Sequence, residues 1–157
     1  MVKRIIREAY QVPIKYEVRF QAARISLSNS KEDIKRHRVY LLYVDNKPIG
    51  TVTIKRLSFG CEISHLAVLP YMQVEGWGKW LLRFTEREIC KLGRKRAFLF
   101  TSEDHPWLSR FYQKNGYRRV NIRRSSFTGI RMAQIYCRGA HSITDTPSKQ
   151  IITPIQS

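Results

Sequence analysis

Residues 69–82 read LPYMQVEGWGKWLL. Gly76 and Gly78 stand one residue apart between an apolar, β-branched run, CEISHLAVLP (61–70), and an apolar run with helical spacing. Glycines where a strand passes into a helix let backbone approach a ligand closely, and the free N–H groups of the helix's first turn then point at it. Three phosphate-binding arrangements compete for the stretch. A P-loop needs a glycine five residues before Gly78 and a Ser or Thr after Lys79 to hold Mg²⁺; Gln73 and Trp80 occupy those places, which argues against nucleotide hydrolysis. A dinucleotide fingerprint needs a third glycine where Leu81 stands, in a turn early in the chain rather than midway. What remains is a helix N-terminus that binds a pyrophosphate, or a pair of glycines that only shape the turn.

Outward from this turn the elements fall into an alternating order. VYLLYVDNKPIGTVTIKRLS (39–58) reads as a hairpin, with β-branched and aromatic residues on either side of Asp45-Asn46-Lys47-Pro48. Residues 61–70 form a third strand that Pro70 ends, and a helix follows over 76–92, with Leu81, Leu82, Thr85, Ile89 and Leu92 on one face and Gly93 as its stop. RAFLFTS (96–102) suits a sheet interior. Pro106 opens a short helix, capped by Asp104 or His105 and ended by Gly116, and YRRVNI and GIRMAQIYCR supply two last strands. VKRIIRE near the start reads as an edge strand, and 13–37 as one or two basic helices. The expected fold is α/β: a mixed, mostly antiparallel sheet of about six to seven strands flanked by about four helices. Residues 1–138 are read as a single domain, and the polar, proline-punctuated tail 139–157 as poorly ordered.

Composition narrows the partners. Twenty-nine Lys and Arg against twelve Asp and Glu give a formal net charge of +17 on 157 residues, a field that attracts polyanions and repels free polyamines. Cys61, Cys90 and Cys137 form no C-x-x-C pair, and Cys61 with His65 is half of a zinc site at most; no metal is expected, and the thiols read as buried and free. The first residues lack the long apolar stretch of a signal peptide. No run approaches the about 20 apolar residues of a membrane-spanning helix. A cytoplasmic protein without membrane contact is the expectation, as monomer or homodimer.

The two markers together are specific. Val68-x-Pro70-x-x-Gln73-x-x-Gly76-x-Gly78 followed by an apolar helix resembles the acetyl-CoA signature of the GNAT family of N-acetyltransferases, and FYQKNGY (111–117) resembles that family's second marker. A helix, a strand and a helix start separate them, as in the family, and NKPIGTVTI is similar to the strand that precedes the signature. The resemblance covers roughly 39–137. It implies the GNAT fold, a sheet splayed in the middle to hold coenzyme A, and transfer of an acetyl group from acetyl-CoA to a primary amine.

It also implies roles. The main chain of Gln73, Val74, Gly76, Trp77, Gly78 and Lys79 would hold the pyrophosphate, with Val74 where the family often has glycine; Lys79 reads equally as a phosphate ligand or a solvated lysine. Leu66, Ala67 and Val68 would pair through their backbone with the pantetheine arm, and the N–H of Val68 or Leu66 would polarise the thioester carbonyl. Tyr112 matches the tyrosine that protonates the departing thiolate, and a phenol with an ordinary pKa near 10 suits an acid. His105 stands where relatives carry an Asn on the pantetheine arm. Glu62, eleven residues before Gln73, has the spacing of the general base in the histone acetyltransferase branch; in a partly apolar cleft such a carboxyl is poised to take a proton. The alternative is a surface glutamate at a strand start. His65 is read as packing, because alternation along a strand aims it away from Glu62 unless a bulge intervenes. Trp77 and Trp80 as side chains are read as core or rim aromatics.

No acid stands between Asp104 and Asp145, while RRVNIRR (118–124) is strongly basic. The expected acceptor is therefore an amine on or beside a polyanion: a protein or aminoacyl-tRNA ahead of a free polyamine, with nucleic acid as a partner of the basic surface. A nucleic-acid-binding module without catalysis and a small-molecule acetyltransferase of the aminoglycoside type are the alternatives.

Overall fold

The computed structural model describes residues 1–11, 34–102, 107–124, 131–138 and 150–155. β1 (Arg38–Val44) and β2 (Lys47–Leu57) form the predicted hairpin. Its two-residue turn puts Asp45 at φ 48° and Asn46 at φ 60°, the paired positive angles that match the right-handed twist of the strands and that Asp and Asn accept at low cost. β3 (Gly60–Val68) pairs antiparallel with β2 and leads through a 3₁₀ turn (Pro70–Glu75) into α2 (Trp77–Lys91). β4 (Arg96–Ser102) returns parallel to β3. A short helix α3 (Leu108–Lys114) and strands β5 (Arg118–Arg124) and β6 (Arg131–Arg138) follow. With β7 (Gln150–Pro154) the sheet has seven strands in the order β5-β6-β4-β3-β2-β1-β7, and β3–β4 is its parallel pair.

Two expectations change. Residues 2–11 form a helix, α1 (Val2–Gln11), not an edge strand. Val2, Ile5, Ile6 and Ala9 recur at helical spacing and are buried together against Val39, Leu41, Ala67 and Leu69; the charged residues between them masked a period too short to stand out. The tail expected to be poorly ordered contains β7, which pairs antiparallel with β1 from Tyr40↔Pro154 to Val44↔Gln150. Its β-branched core, Ile151-Ile152-Thr153, is enough to cover an otherwise open sheet edge, and Ile152 packs on the core. The basic segment 13–33 lies outside the described residues.

The sheet has an apolar layer on each side. Leu81, Leu82 and Ile89 of α2 pack with Val52, Ile54, Cys61, Ile63, Val68 and Leu99 on one face, and α1 covers part of the other. Full burial of a leucine such as Leu81 or Leu82 contributes roughly 1.5–3 kcal/mol. No helix among the described residues is long and apolar enough to cross a membrane.

The thiols divide. Cys61 is fully buried, and burial pushes its thiol up from the ordinary value; Cys90 is exposed rather than buried, and the Cys137 side chain lies outside the described residues. In a thiol titration with a chromogenic disulfide, Cys90→Ser should lower the fast phase of the native protein by one thiol, whereas Cys61 should react only when denaturant unfolds the chain.

Candidate active site

A cleft opens where β3 and β4 part. Their ladder pairs Cys61 with Ala97 and Glu62 with Phe98, and stops there. β3 continues on β2 as far as Val68, while β4 continues on β6 as far as Ser102. Beyond that point the two strands do not pair with each other, and an extended ligand can add to a strand edge through main-chain hydrogen bonds. Leu66 lines this edge half-buried, and Ala67 and Val68 are buried. Gly50 lies directly behind it: a Cβ there would stand 3.1 Å from the Ala67 carbonyl oxygen, so the glycine of NKPIGTVTI permits a close approach of β2 to β3.

The turn after β3 is tied to the strand it leaves. The Leu69 N–H donates to the Ile49 carbonyl at 2.8 Å, and the Gln73 side chain donates to the Val68 carbonyl at 2.9 Å. Gln73 therefore serves through its side chain as a strut for the turn. Val74 is 92% exposed and does not have a positive φ, so its replacement of glycine leaves the main chain free to face a ligand. Gly76 takes φ 81°, ψ 2°, the left-handed conformation that needs glycine, at the N-cap of α2. No side chain caps α2 and no acid stands in its first turn; the N–H groups of Trp77, Gly78 and Lys79 are aimed outward at the positive end of a 15-residue helix. Gly78 has no such conformational need, and a Cβ there would meet nothing nearer than Phe111 Cζ at 3.8 Å. Trp77 donates through Nε1 to Glu75 at 3.0 Å and meets Trp80 edge-on, and Trp80 stacks on Phe84; these rings are rim and core, as expected. Lys79 is exposed beside the open N-terminus.

The Phe111 contact brings α3 to the same opening. FYQKNGY is a helix end: the Gly116 N–H donates to Gln113 at 3.0 Å and the Tyr117 N–H to Tyr112 at 3.1 Å, with Gly116 at φ 89°. This is the Schellman arrangement, whose accompanying apolar contact is the Tyr112–Tyr117 ring pair at 5.8 Å. Asn115 adds a side-chain bond to the Phe111 carbonyl at 2.8 Å. The marker thereby fixes Tyr112, which is buried on the α2 side of the sheet. His105 lies outside the described residues.

On the opposite face Glu62 is half-buried, 3.9 Å from Lys55 Nζ. Its neighbour is an ammonium, not the apolar wall expected of it. Three residues on, β3 bulges. Thr53 pairs with Ser64 and Thr51 with Ala67, so His65 and Leu66 stand together opposite Val52. His65 has φ 52°, a conformation that costs an ordinary L-residue on the order of 1–2 kcal/mol. The bulge reverses the alternation of the strand: Cys61 and Ile63 before it, and Leu66 and Val68 after it, all point to the α2 core. The His65 ring turns to the other face, where Nδ1 lies 3.4 Å from Thr53 Oγ1. It therefore shares a face with Glu62, contrary to the expectation from simple alternation. Because the left-handed place in such a bulge is normally glycine, nothing in the sequence announced it.

These parts suit one kind of ligand: an anion at the α2 N-terminus, an extended arm along the splayed strands, and a reactive end between Tyr112 on one face and Glu62, His65 and Thr53 on the other. The fit to coenzyme A rests on the uncapped helix end, the open space at Gly76 and the strand edges beyond the end of the β3–β4 ladder. A family model described as an acetyltransferase (GNAT) domain matches residues 35–119, more than half of the chain. The S-(2-succino)cysteine N-acetyltransferase of Bacillus subtilis is 31% identical over 119 residues, covering 69% of this chain and 72% of that protein. Among solved structures, a GNAT acetyltransferase from Elizabethkingia anophelis with acetyl-CoA bound superposes with a TM-score of 0.66 at 21% identity, over 72% of this chain and 83% of that one. The PaiA N-acetyltransferase of Thermoplasma acidophilum, in complex with coenzyme A, gives 0.72 at 17% identity, over 88% and 91%.

Proposed function

Since the chain belongs to the GNAT family of acetyltransferases and takes its acetyl group from acetyl-CoA, we propose that it acetylates the primary amine of an anionic acceptor, by direct attack of the amine on the thioester. The main chain of residues 73–79 holds the pyrophosphate, and the edge of Leu66–Val68 aligns the pantetheine arm. An N–H of that edge polarises the thioester carbonyl as charge builds on its oxygen. Tyr112 gives its phenolic proton to the thiolate as it leaves. Glu62 is the carboxylate on the amine's side of the sheet.

The observation that carries the acceptor class is charge. The chain bears a formal +17, and Arg118, Arg119, Arg123 and Arg124 all lie on β5, one of the two outer strands of the sheet. Such a field concentrates anions and disfavours cationic amines. The 31%-identical relative is named for a cysteine bearing a succinate, an amine that carries carboxylates, and a small acceptor of that kind is the first candidate. The size of the charge favours a second reading, an amine presented on nucleic acid or on a protein bound to it. A screen with labelled acetyl-CoA should include S-(2-succino)cysteine, aminoacyl-tRNA, an acidic peptide and spermidine. Turnover on the anionic acceptors is expected, falling as salt rises, and most steeply for tRNA. Fastest turnover on spermidine, unaffected by salt, would reject the anionic class.

A further inference from the structure

We propose that His65, held by Thr53 in the β3 bulge, is the group that takes the proton from the acceptor's ammonium. The inference rests on the reading of the cleft as the place of acetyl transfer. Three observations carry it. Among the described residues, His65 is the one with a positive φ that is not Gly, Asp or Asn, and backbone held in such a conformation by its surroundings concentrates at functional sites. The bulge lies within the part of β3 that has parted from β4, so the ring adjoins the Leu66–Val68 edge that faces the thioester. The ring also turns to the face opposite Tyr112, which separates the group that removes a proton from the one that supplies it.

The chemistry fits this placement. An imidazole changes charge near neutrality, which suits a group that must take up a proton and release it in each turnover. The contact of 3.4 Å between Thr53 Oγ1 and Nδ1 is long, as hydrogen bonds at such sites often are before substrate binds. Among the described residues on that face, Lys55 and Glu62 are the charged side chains of β2 and β3, Phe98 fills the paired position on β4, and α1 turns Val2, Ile5, Ile6 and Ala9 to the sheet. In the reaction a ring nitrogen accepts one proton of the ammonium. The freed amine forms the N–C bond, the C–S bond breaks, and the thiolate takes the Tyr112 proton. The second amine proton passes through the same ring, once it has released the first, to solvent, and solvent returns a proton to the Tyr112 phenolate, so that one proton is released per turnover.

His65→Asn and His65→Gly both suit the left-handed backbone better than histidine does, so neither should unfold the protein. On whichever amine the wild type acetylates, both are expected to lose about 100-fold in kcat at pH 7, with melting temperature not lowered and acetyl-CoA affinity within about twofold by calorimetry. The deficit should shrink as pH rises toward the amine's own pKa, and added imidazole should restore part of the rate of His65→Gly. Thr53→Val should lose several-fold in kcat. Unchanged kcat and pH profile in His65→Asn, or a loss of kcat matched by lost acetyl-CoA affinity, would overturn the proposal. A wrong acceptor class shows in the acceptor screen and leaves this comparison intact.

Discussion

Tyr112→Phe should lower kcat by roughly 100-fold or more, the usual contribution of a positioned acid, while acetyl-CoA binds as before. The substitution removes one oxygen from a ring that the Schellman end of α3 and the Tyr117 contact hold in place, so packing is conserved and the fold should not register it. Without the phenol, the thiolate must leave unprotonated or wait for water. Stopped-flow measurement of CoA release, with calorimetry for acetyl-CoA, separates the two effects. A variant that turns over at the wild-type rate would show that another group or solvent supplies the proton. A variant that instead loses acetyl-CoA affinity would show that Tyr112 holds the cosubstrate.

The second large effect separates stability from binding. Gly78→Glu is expected to leave the melting temperature equal or higher and to weaken acetyl-CoA binding by about 100-fold. The backbone at Gly78 is open to any residue, with Phe111 the nearest obstacle at 3.8 Å. A carboxylate in the first turn of α2 is favoured by the helix dipole by about 0.3–1 kcal/mol, and loss of a glycine from a helix adds up to about 1 kcal/mol. Against a pyrophosphate the same carboxylate repels. At about 5 Å and an effective dielectric near 20 one pair of charges costs on the order of 3 kcal/mol, and each 1.4 kcal/mol is about tenfold in affinity. A Gly78→Glu protein that binds acetyl-CoA as tightly as wild type would place the pyrophosphate elsewhere. Gly76 is unsuited to this test, because its φ of 81° makes any substitution a backbone perturbation first.

The glycine turn of residues 69–82 and the FYQKNGY helix end were legible because each is a local device written in residue types: glycines for positive φ, and caps at fixed offsets. The hairpin was legible for the same reason. What escaped depends on tertiary context. The β3 bulge reverses the strand's faces through a histidine in a place where glycine would have signalled it. α1 buries four apolar residues among charged ones in a segment of ten residues. β7 is a run of five residues in a polar tail, and becomes a strand because β1 offers it an edge. Glu62 was legible as a position, but its Lys55 neighbour follows from strand register.

That last strand also bears on how the molecule comes into being. β7 and β1 are more than a hundred residues apart in sequence, whereas β1, β2 and β3 are joined by short connections. During synthesis the hairpin and its third strand can pair early, but one border of the sheet waits until residues 150–154 have emerged. Until then β1 presents bare N–H and C=O groups, a template for another nascent chain as much as for its own. Loop-closure entropy makes this pairing the slowest to gain, so the interval before β7 docks is when the chain is most exposed to aggregation.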